Sequence, residues 1–184
     1  MSSAESEPRQ RLFFALWPEE SLRRELQRLL TGEPFKGAAG RQVVPENYHI
    51  TLRYLGPLTR EQQACAERVA DTLQGEDFQL TLDRVGYWPG PRVAWLGSAQ
   101  VPAALGRLVE ALEKGLESCG FEAERRPFQP HLTFLRKARP KGLPVTVSPI
   151  VWPVDRFALV RSRTLPEGVR YDVIRSWSFD GTVK

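Results

Sequence analysis

Apolar residues in the first half of the chain alternate between runs typical of strands and spacings typical of helices. Strand-like runs occupy residues 11–16 (RLFFAL), 42–44, 48–55 (YHITLRYL), 78–87 and 92–97. Leucines at helical spacing predict a helix over residues 19–30, and Thr59 begins a second predicted helix that ends near Leu73. Turn residues, among them Gly56, Pro57 and the WPGP segment at 88–91, separate these elements.

The second half repeats the same order of elements. Pro102 opens a predicted helix over residues 102–118, with leucines on one face and Gly120 after its end. Residues 128–135, 154–163 and 169–179 follow as predicted strands. The proline-rich stretch 139–153 between them is predicted to be a loop or an edge hairpin.

This repetition predicts an α+β fold in a single bilobal domain over residues 1–184. We expect two antiparallel sheets with flanking helices around a central cleft, in lobes related by a pseudo-two-fold axis. The polar start lacks the features of a secretory signal, so residues 1–10 are predicted to be a disordered tail.

Composition is that of a globular protein with a core. Hydrophobic residues make up 41% of the 184 positions and charged residues 26%. No apolar run is long enough to span a membrane. Cys65 and Cys119 form no CxxC pair, have no histidine nearby and fall in predicted helices, so we expect reduced, buried side chains. A cytoplasmic location follows as an expectation.

The formal net charge of +4 and the pI of about 9.3 are consistent with an anionic partner. Most basic residues are arginine, which suits bidentate phosphate contacts and stacking on bases. A bias toward arginine codons in a GC-rich genome accounts for the same excess, so charge alone does not select a function.

Both histidines of the chain lie in the same local pattern. His49 begins the sequence HITL and His131 begins HLTF. Residues i and i+2 of a strand point to the same face, so each histidine is expected to project together with Thr51 or Thr133. Equivalent strands in two lobes predict two imidazoles and two hydroxyls at one cleft.

Such a set of side chains suits the cleavage of phosphodiesters. One neutral imidazole accepts a proton from water, while a protonated imidazole gives one to the leaving oxygen. Threonine hydroxyls donate to phosphate oxygens. The competing interpretations are histidines that serve only packing, or a metal site. A metal site is disfavoured because threonine is not a usual partner ligand and neither motif contains an acidic residue. No serine or cysteine nucleophile has a local signature.

The two motifs resemble those of the two-histidine phosphoesterase superfamily. Within it, the chain resembles the RNA 2',3'-cyclic phosphodiesterases, also called 2'-5' RNA ligases. The resemblance includes RLFFAL at 11–16, YHITLRYLG at 48–56, RPFQPHLTFLR at 126–136 and SRTLPEGVRYDVI at 162–174. It therefore covers the chain nearly from end to end. It implies metal-free opening of a 2',3'-cyclic phosphate to a 2'-phosphomonoester, with weak joining or cleavage of 2'-5' linkages in many members.

The resemblance also implies roles for residues of the two motifs. His131 would be the general base that activates water, and His49 the general acid that protonates the leaving O3'. Thr51, Thr133 and Arg136 would hold phosphate oxygens. Simple alternation places Arg136 on the face opposite His131, so a bulge or the end of the strand must redirect it.

Four further residues are candidates for substrate binding. Phe13, Trp88 and Tyr171 either stack on a base or pack in the core. Arg53 is expected on the same strand face as His49, where it reaches RNA phosphates unless it is a solvated surface residue.

The expected partners are RNA 3' ends that carry a 2',3'-cyclic phosphate, with ATP or GTP as further nucleotide ligands. We expect a monomer that uses no metal and no cofactor. Two alternatives remain on the same fold. One is a 2'-5' RNA ligase, or an enzyme of small cyclic nucleotides such as ADP-ribose 1'',2''-cyclic phosphate. The other is a non-catalytic RNA-binding module, although both histidines are present.

Overall fold

The structure, a computed structural model, describes residues 9–144 and 146–180. In that part of the chain the strands are β1 (Gln10–Leu16), β2 (Arg41–Gln42), β3 (Ile50–Leu58), β4 (Phe78–Trp88), β5 (Val93–Gly97), β6 (His131–Arg136), β7 (Thr146–Val154), β8 (Arg156–Leu165) and β9 (Gly168–Ser178). The helices are α1 (Glu20–Thr31), α2 (Arg60–Thr72) and α3 (Ala103–Glu117). No helix within the described ranges is long and apolar enough to cross a membrane.

All the described strands belong to one antiparallel sheet, in the order β7-β4-β5-β6-β3-β1-β8-β9, and β2 pairs with β6. The α+β class is confirmed. The two predicted sheets are instead two halves of this one sheet. The halves β7-β4-β5-β6 and β3-β1-β8-β9 meet where β3 lies beside β6, through the single residue pair Ile50 and Leu132.

Strand β1 is buried on both faces, which explains its unbroken apolar sequence. Leu12 and Phe14 belong to the main core, which the leucines of the helices also enter. Phe13 and Ala15 point the other way, into a smaller apolar cluster with Val160 of β8. This smaller cluster lies on the face of the sheet that carries the two histidines.

The ends of the chain and the proline-rich stretch differ in part from expectation. Residues 1–8 of the predicted tail lie outside the described residues, and Gln10 already begins β1. The stretch predicted as a loop or edge hairpin contains β7, which pairs with β4 at the edge of the sheet. Pro149 and Pro153 fit there because an edge strand leaves one row of backbone groups unpaired.

The prediction of reduced cysteines is wrong. Cys65 of α2 and Cys119, which follows α3, form a disulfide, with their Cα atoms 5.8 Å apart. The two helices pack closely, because a Cβ added at Gly115 of α3 would lie 2.4 Å from Cγ1 of Val69 in α2. The sequence separation of 54 residues gave no sign that the cysteines would be neighbours.

Candidate active site

The joint between the two halves of the sheet brings the two histidines together. His49 directly precedes Ile50, and His131 directly precedes Leu132, the two residues that pair across the joint. Both histidines line one cavity of about 280 Å³. The other predicted site residues that line it are Thr51, Thr133, Arg136, Phe13, Trp88 and Tyr171.

Both imidazoles are oriented in the same way. Nδ1 of His49 lies 2.7 Å from the carbonyl oxygen of Asn47, and Nδ1 of His131 lies 2.8 Å from that of Gln129. A carbonyl oxygen only accepts, so each Nδ1–H donates and each neutral ring keeps its lone pair on Nε2. Nε2 of His49 lies 3.1 Å from Oγ1 of Thr51. Nε2 is thus the proton-accepting nitrogen of each neutral ring, and in His49 it already accepts a hydrogen bond from the Thr51 hydroxyl.

Asn47 links His49 to the last hairpin, a contact that no local sequence pattern predicts. Its side-chain nitrogen donates to the carbonyl of Val169, 2.7 Å away, and its side-chain oxygen accepts from the backbone N–H of Tyr171 at 3.3 Å. Asn47 is itself buried. The residue whose carbonyl orients His49 therefore also fixes the backbone of Tyr171, a second residue of the cavity.

Aromatic rings enclose His49 and change its acidity. The ring centroids of Phe13 and Tyr171 lie 4.9 and 5.0 Å from that of His49, and Trp17 stacks on it at 5.8 Å. Burial among these rings lowers the pKa of His49 to about 4, against the opposing effect of the hydrogen bond to Asn47. His49 is therefore neutral near pH 7 in the free protein.

His131 has a similar but more open setting. The rings of Trp88 and His131 lie nearly perpendicular to each other, with their centroids 4.5 Å apart. Burial lowers the pKa of His131, and the hydrogen bond to the carbonyl of Gln129 works in the opposite direction. The neutral form that can accept a proton is thus favoured at both histidines.

A bulge in β6 turns Arg136 into the cavity. Thr133 pairs with Trp95 of β5, but Leu135 pairs with the adjacent Ala94, so Phe134 is the extra residue of β6 opposite β5. Phe134 and Leu135 are consequently both buried, and Arg136 returns to the face of Thr133. Of the two predicted causes, a bulge or the end of the strand, the structure has the bulge.

A second bulge, in β3, corrects the prediction for Arg53. Thr51 pairs with Ala15 of β1, but Arg53 pairs with the adjacent Phe14, so Leu52 is the extra residue. Because cross-strand partners share a face, Arg53 turns away from Thr51 toward the main core. The expected common face with the histidine is therefore wrong.

Arg53 is held by contacts outside the cavity. Its Nε lies 3.3 Å from Oε1 of Glu113 in α3, and its guanidinium donates to the carbonyl of Glu122. Tyr54 takes the cavity position instead, because it pairs with Phe13, and its side chain is 56% exposed. Strict alternation put Tyr54 on the wrong face, so sequence reasoning missed it.

The two bulges make the two motifs equivalent over six residues. Positions 1, 3 and 6 of the first motif are His49, Thr51 and Tyr54. The same positions of the second motif are His131, Thr133 and Arg136, and all six residues line the cavity. Each half of the sheet therefore offers one imidazole, one hydroxyl and one longer polar side chain to the same cavity. Such a set can move protons at two points and donate several hydrogen bonds to an anion.

The sequence has curated relatives that match over nearly the whole chain. The model of the 2'-5' RNA ligase superfamily matches residues 17–165. The RNA 2',3'-cyclic phosphodiesterase of Escherichia coli K12 is 34% identical over 177 residues, which are 94% of this chain and 98% of that protein. The RNA 2',3'-cyclic phosphodiesterase of Thermus thermophilus is 36% identical over 186 residues, 93% of this chain and 91% of that protein.

Solved structures agree with this match. The apo form of E. coli LigT has a TM-score of 0.79 at 32% identity, covering 94% of this chain and 98% of that one. Its complex with 3'-AMP has a TM-score of 0.78 at 33% identity, covering 92% and 98%. Its complex with ATP has a TM-score of 0.76 at 30% identity, covering 94% and 98%.

Proposed function

Because this chain belongs to the 2'-5' RNA ligase superfamily, we propose that it hydrolyses RNA 2',3'-cyclic phosphate ends to 2'-phosphomonoesters. One observation carries the proposal. Two imidazoles line one cavity, and each donates its Nδ1–H to the carbonyl two residues earlier, so that Nε2 is the nitrogen of each ring that can exchange a proton with a substrate. This arrangement supports general acid–base catalysis at two points of one phosphodiester.

The proposed reaction moves two protons and exchanges one bond. Nε2 of His131 accepts a proton from water, whose oxygen attacks the phosphorus. The bond between phosphorus and O3' breaks, and Nε2 of His49 donates its proton to O3'. The phosphate stays on O2', and the two histidines exchange their protons through solvent before the next turnover. The resemblance of the motifs assigns the base to His131, because the pKa values of both histidines are lowered and do not distinguish the two roles.

The other cavity residues have proposed roles in holding the substrate. Thr51, Thr133 and Arg136 hold the phosphate oxygens, and Arg136 neutralises charge that builds up as the bond breaks. Trp88 and Tyr171 have ring faces or edges at the cavity and are proposed to contact the nucleoside. Phe13 is only 4% exposed, so its proposed role is to pack against the ring of His49 and hold it in place.

The proposed chemistry relies on protein side chains alone. Within residues 9–144 and 146–180, no three histidine, cysteine, aspartate or glutamate side chains are grouped to hold a metal ion. E. coli LigT has been solved in complex with 3'-AMP and with ATP, both of which are nucleotides. They support an RNA end as the substrate here and mononucleotides as further ligands.

The reaction is tested with a short RNA that ends in a 2',3'-cyclic phosphate, incubated with the protein and excess EDTA. We expect a single product that co-migrates with a 2'-phosphate standard, because the proposed leaving group is O3'. RNA with a linear 3'-phosphate should remain unchanged as a control. A 3'-phosphate product would contradict the proposed leaving group, and strong inhibition by EDTA would contradict metal-free catalysis.

The pH dependence of kcat/KM follows from the lowered pKa values of both histidines. One imidazole must be neutral and the other protonated, so both limbs of the profile should lie below the ordinary histidine pKa of about 6.5. We expect a maximum on the acidic side of pH 6.5 and a decline of about tenfold per pH unit on the alkaline limb.

The profile of kcat supplies the control. A bound phosphate anion stabilises protonated His49 and raises its pKa, so the alkaline limb of kcat should lie at higher pH than that of kcat/KM. Initial rates between pH 4 and 9 at low and saturating substrate measure both profiles. A kcat/KM that rises from pH 6 to pH 8 would be incompatible with catalysis by two buried imidazoles.

A further inference from the structure

A strongly basic surface borders the cavity at its Arg136 end. Three segments meet there, residues 36–44, 88–93 and 134–144, and they contain seven lysines and arginines but no aspartate or glutamate. The chain has 26 lysines and arginines, and the other 19 are outnumbered by 22 acidic residues, so the rest of the sequence has a formal charge of −3. The net charge of +4 therefore arises from these three segments alone.

The end of β6 brings the three segments together. Arg41 of β2 pairs with Arg136 on one side of β6, and Val93 of β5 pairs with Arg136 on the other side. Beyond the strand, the N–H of Ala138 donates to the carbonyl of Arg92 at 2.9 Å. Neighbouring strands lie about 4.8 Å apart, so the cations of the three segments share one continuous surface.

The cations of this basic surface are available to an anion. All of them are exposed: Lys36, Arg41, Arg92, Arg136, Lys137, Arg139 and Lys141. In the described part of the chain, Lys36 is the one member that is paired with a carboxylate, that of Glu33. Like charges held this close together repel one another, and a bound polyanion relieves the repulsion.

Two of these cations have an unfavourable backbone conformation. Arg92 and Lys137 have φ angles of 54° and 51°. Glycine adopts such angles far more readily than a residue with a Cβ. Stability alone therefore favours glycine at both positions, and side chains that persist on a strained backbone are characteristic of binding sites.

The basic surface suits phosphates better than bases. The aromatic residues of its three segments are Trp88, which packs against His131, and Phe134, which is buried. These described segments therefore have no ring left for stacking on a base beyond the cavity. Arginine and lysine contact phosphate oxygens without reading the sequence. The partner that fits is a phosphodiester backbone of any base composition.

The position of β2 indicates the side from which such a backbone reaches the cavity. β2 lies on the same side of β6 as β3, because β5 occupies the other side. His49 directly precedes β3 and, in the proposed reaction, protonates O3' of the terminal ribose. That ribose and the RNA attached to its 5' side therefore lie toward His49 and β2. Arg41, one strand away from Arg136, is placed to meet the next phosphate of the chain.

We propose that the basic surface binds the phosphodiester backbone on the 5' side of the cyclic end, beginning at Arg41. This inference rests on the proposed function and adds a selection among its substrates. The protein prefers RNA chains to cyclic mononucleotides, and it does so through phosphates rather than through base sequence. These contacts hold the chain equally before and during the reaction, so they lower KM and leave kcat unchanged.

Two matched variants test the role of the surface. The first removes three of its charges outside the catalytic cavity: Arg41→Gln, Arg92→Gln and Lys137→Gln. The control makes the same changes at exposed residues of α1, α2 and α3 that do not line the cavity: Arg28→Gln, Arg68→Gln and Lys114→Gln. Both variants lose the same net charge, and thermal melting checks that both fold.

Two pairs of substrates separate the surface from the cavity. They are adenosine and uridine 2',3'-cyclic phosphates, and tetra-adenylate and tetrauridylate with the same cyclic ends. In wild type, KM should be at least about tenfold lower for each tetranucleotide than for its mononucleotide. The first variant should raise the tetranucleotide KM values by about tenfold or more. Its kcat values and mononucleotide KM values should change by less than about twofold, as should every value of the control.

Salt dependence tests the wild-type protein without any substitution. Each phosphate contact on a single strand releases about 0.7 counterions, so KM should rise more steeply with salt for the tetranucleotides than for the mononucleotides. The first variant should lower the tetranucleotide slope of log KM against log salt by about two, because three contacts are lost.

The other outcomes overturn the inference in distinguishable ways. Active wild-type protein with equal KM values for one and four nucleotides overturns this inference alone, whereas inactivity on all four substrates overturns the proposed function. Equal losses of the first variant on both lengths would place its residues at the cyclic phosphate. Equal losses of the control would reduce the effect to overall charge. Weaker inhibition by ATP with unchanged tetranucleotide KM values would assign the surface to a triphosphate instead.

Discussion

Replacement of His131 by alanine is expected to lower kcat for hydrolysis of the cyclic phosphate by about three to four orders of magnitude. Without the proposed base, water must lose its proton to solvent as it attacks, while the proposed phosphate contacts of Thr51, Thr133 and Arg136 remain. KM should therefore change far less than kcat. Single-turnover rates at saturating substrate measure the chemical step directly.

The companion variants show whether the histidines act as one unit. His49→Ala should cost about as much as His131→Ala, and the double variant should be scarcely slower than either alone. The chain has no third histidine to serve as a control, so added imidazole takes that place. It should restore part of the rate of His131→Ala by entering the space left by the side chain. A loss of only about tenfold from either single change would contradict acid–base catalysis by this pair.

The second large effect is expected at Arg136. Arg136→Ala should reduce kcat by about 10²- to 10³-fold, the usual cost of removing one charge-stabilising donor from a reacting centre. The guanidinium lies in the cavity because of the bulge at Phe134, and it carries a fixed positive charge near the phosphate. Steady-state kinetics with the cyclic phosphate measure the loss.

Two variants separate position from charge at this site. Arg136→Lys keeps the positive charge, but an ammonium group cannot make the bidentate hydrogen bonds to phosphate that a guanidinium can make, so its rate should fall between those of wild type and Arg136→Ala. Arg139→Ala removes the same charge from an exposed residue that does not line the cavity. Its rate should stay within about twofold of wild type. If Arg139→Ala and Arg136→Ala lose equal activity, the effect is one of overall charge rather than of the bulge.

The regular parts of the fold could be predicted from the sequence because they follow simple periods. The leucines of α1 and α3 fall at helical spacing, and the doubled H-x-T pattern falls at strand spacing. A period of two was enough to place each histidine with its threonine. The same period did not predict the faces of the residues after each threonine. Leu52 and Phe134 are extra residues in their strands, and each shifts every later side chain to the opposite face.

The remaining differences come from contacts between segments that are far apart in sequence. Arg53 is oriented by Glu113 on α3. The side chain of Asn47 is held by the backbone of β9, where its partner Val169 lies 122 residues later in the sequence. A bulge forms when packing against the neighbouring strand favours two buried residues in a row. The residues around Leu52 and Phe134 do not indicate which strand will lie next to them. For Arg136, only the resemblance to a family with a phosphate-binding arginine required the bulge.

The disulfide between Cys65 and Cys119 has a consequence for the covalent connectivity of the chain. Because it links two sites 54 residues apart, it encloses β4, β5 and α3 in a covalent ring. The turn between β4 and β5 is exposed and contains Arg92, a residue after which trypsin cuts. One cut there opens the ring but leaves both fragments attached to each other. Electrophoresis of the nicked protein with and without reductant therefore reports directly whether the two cysteines are bonded.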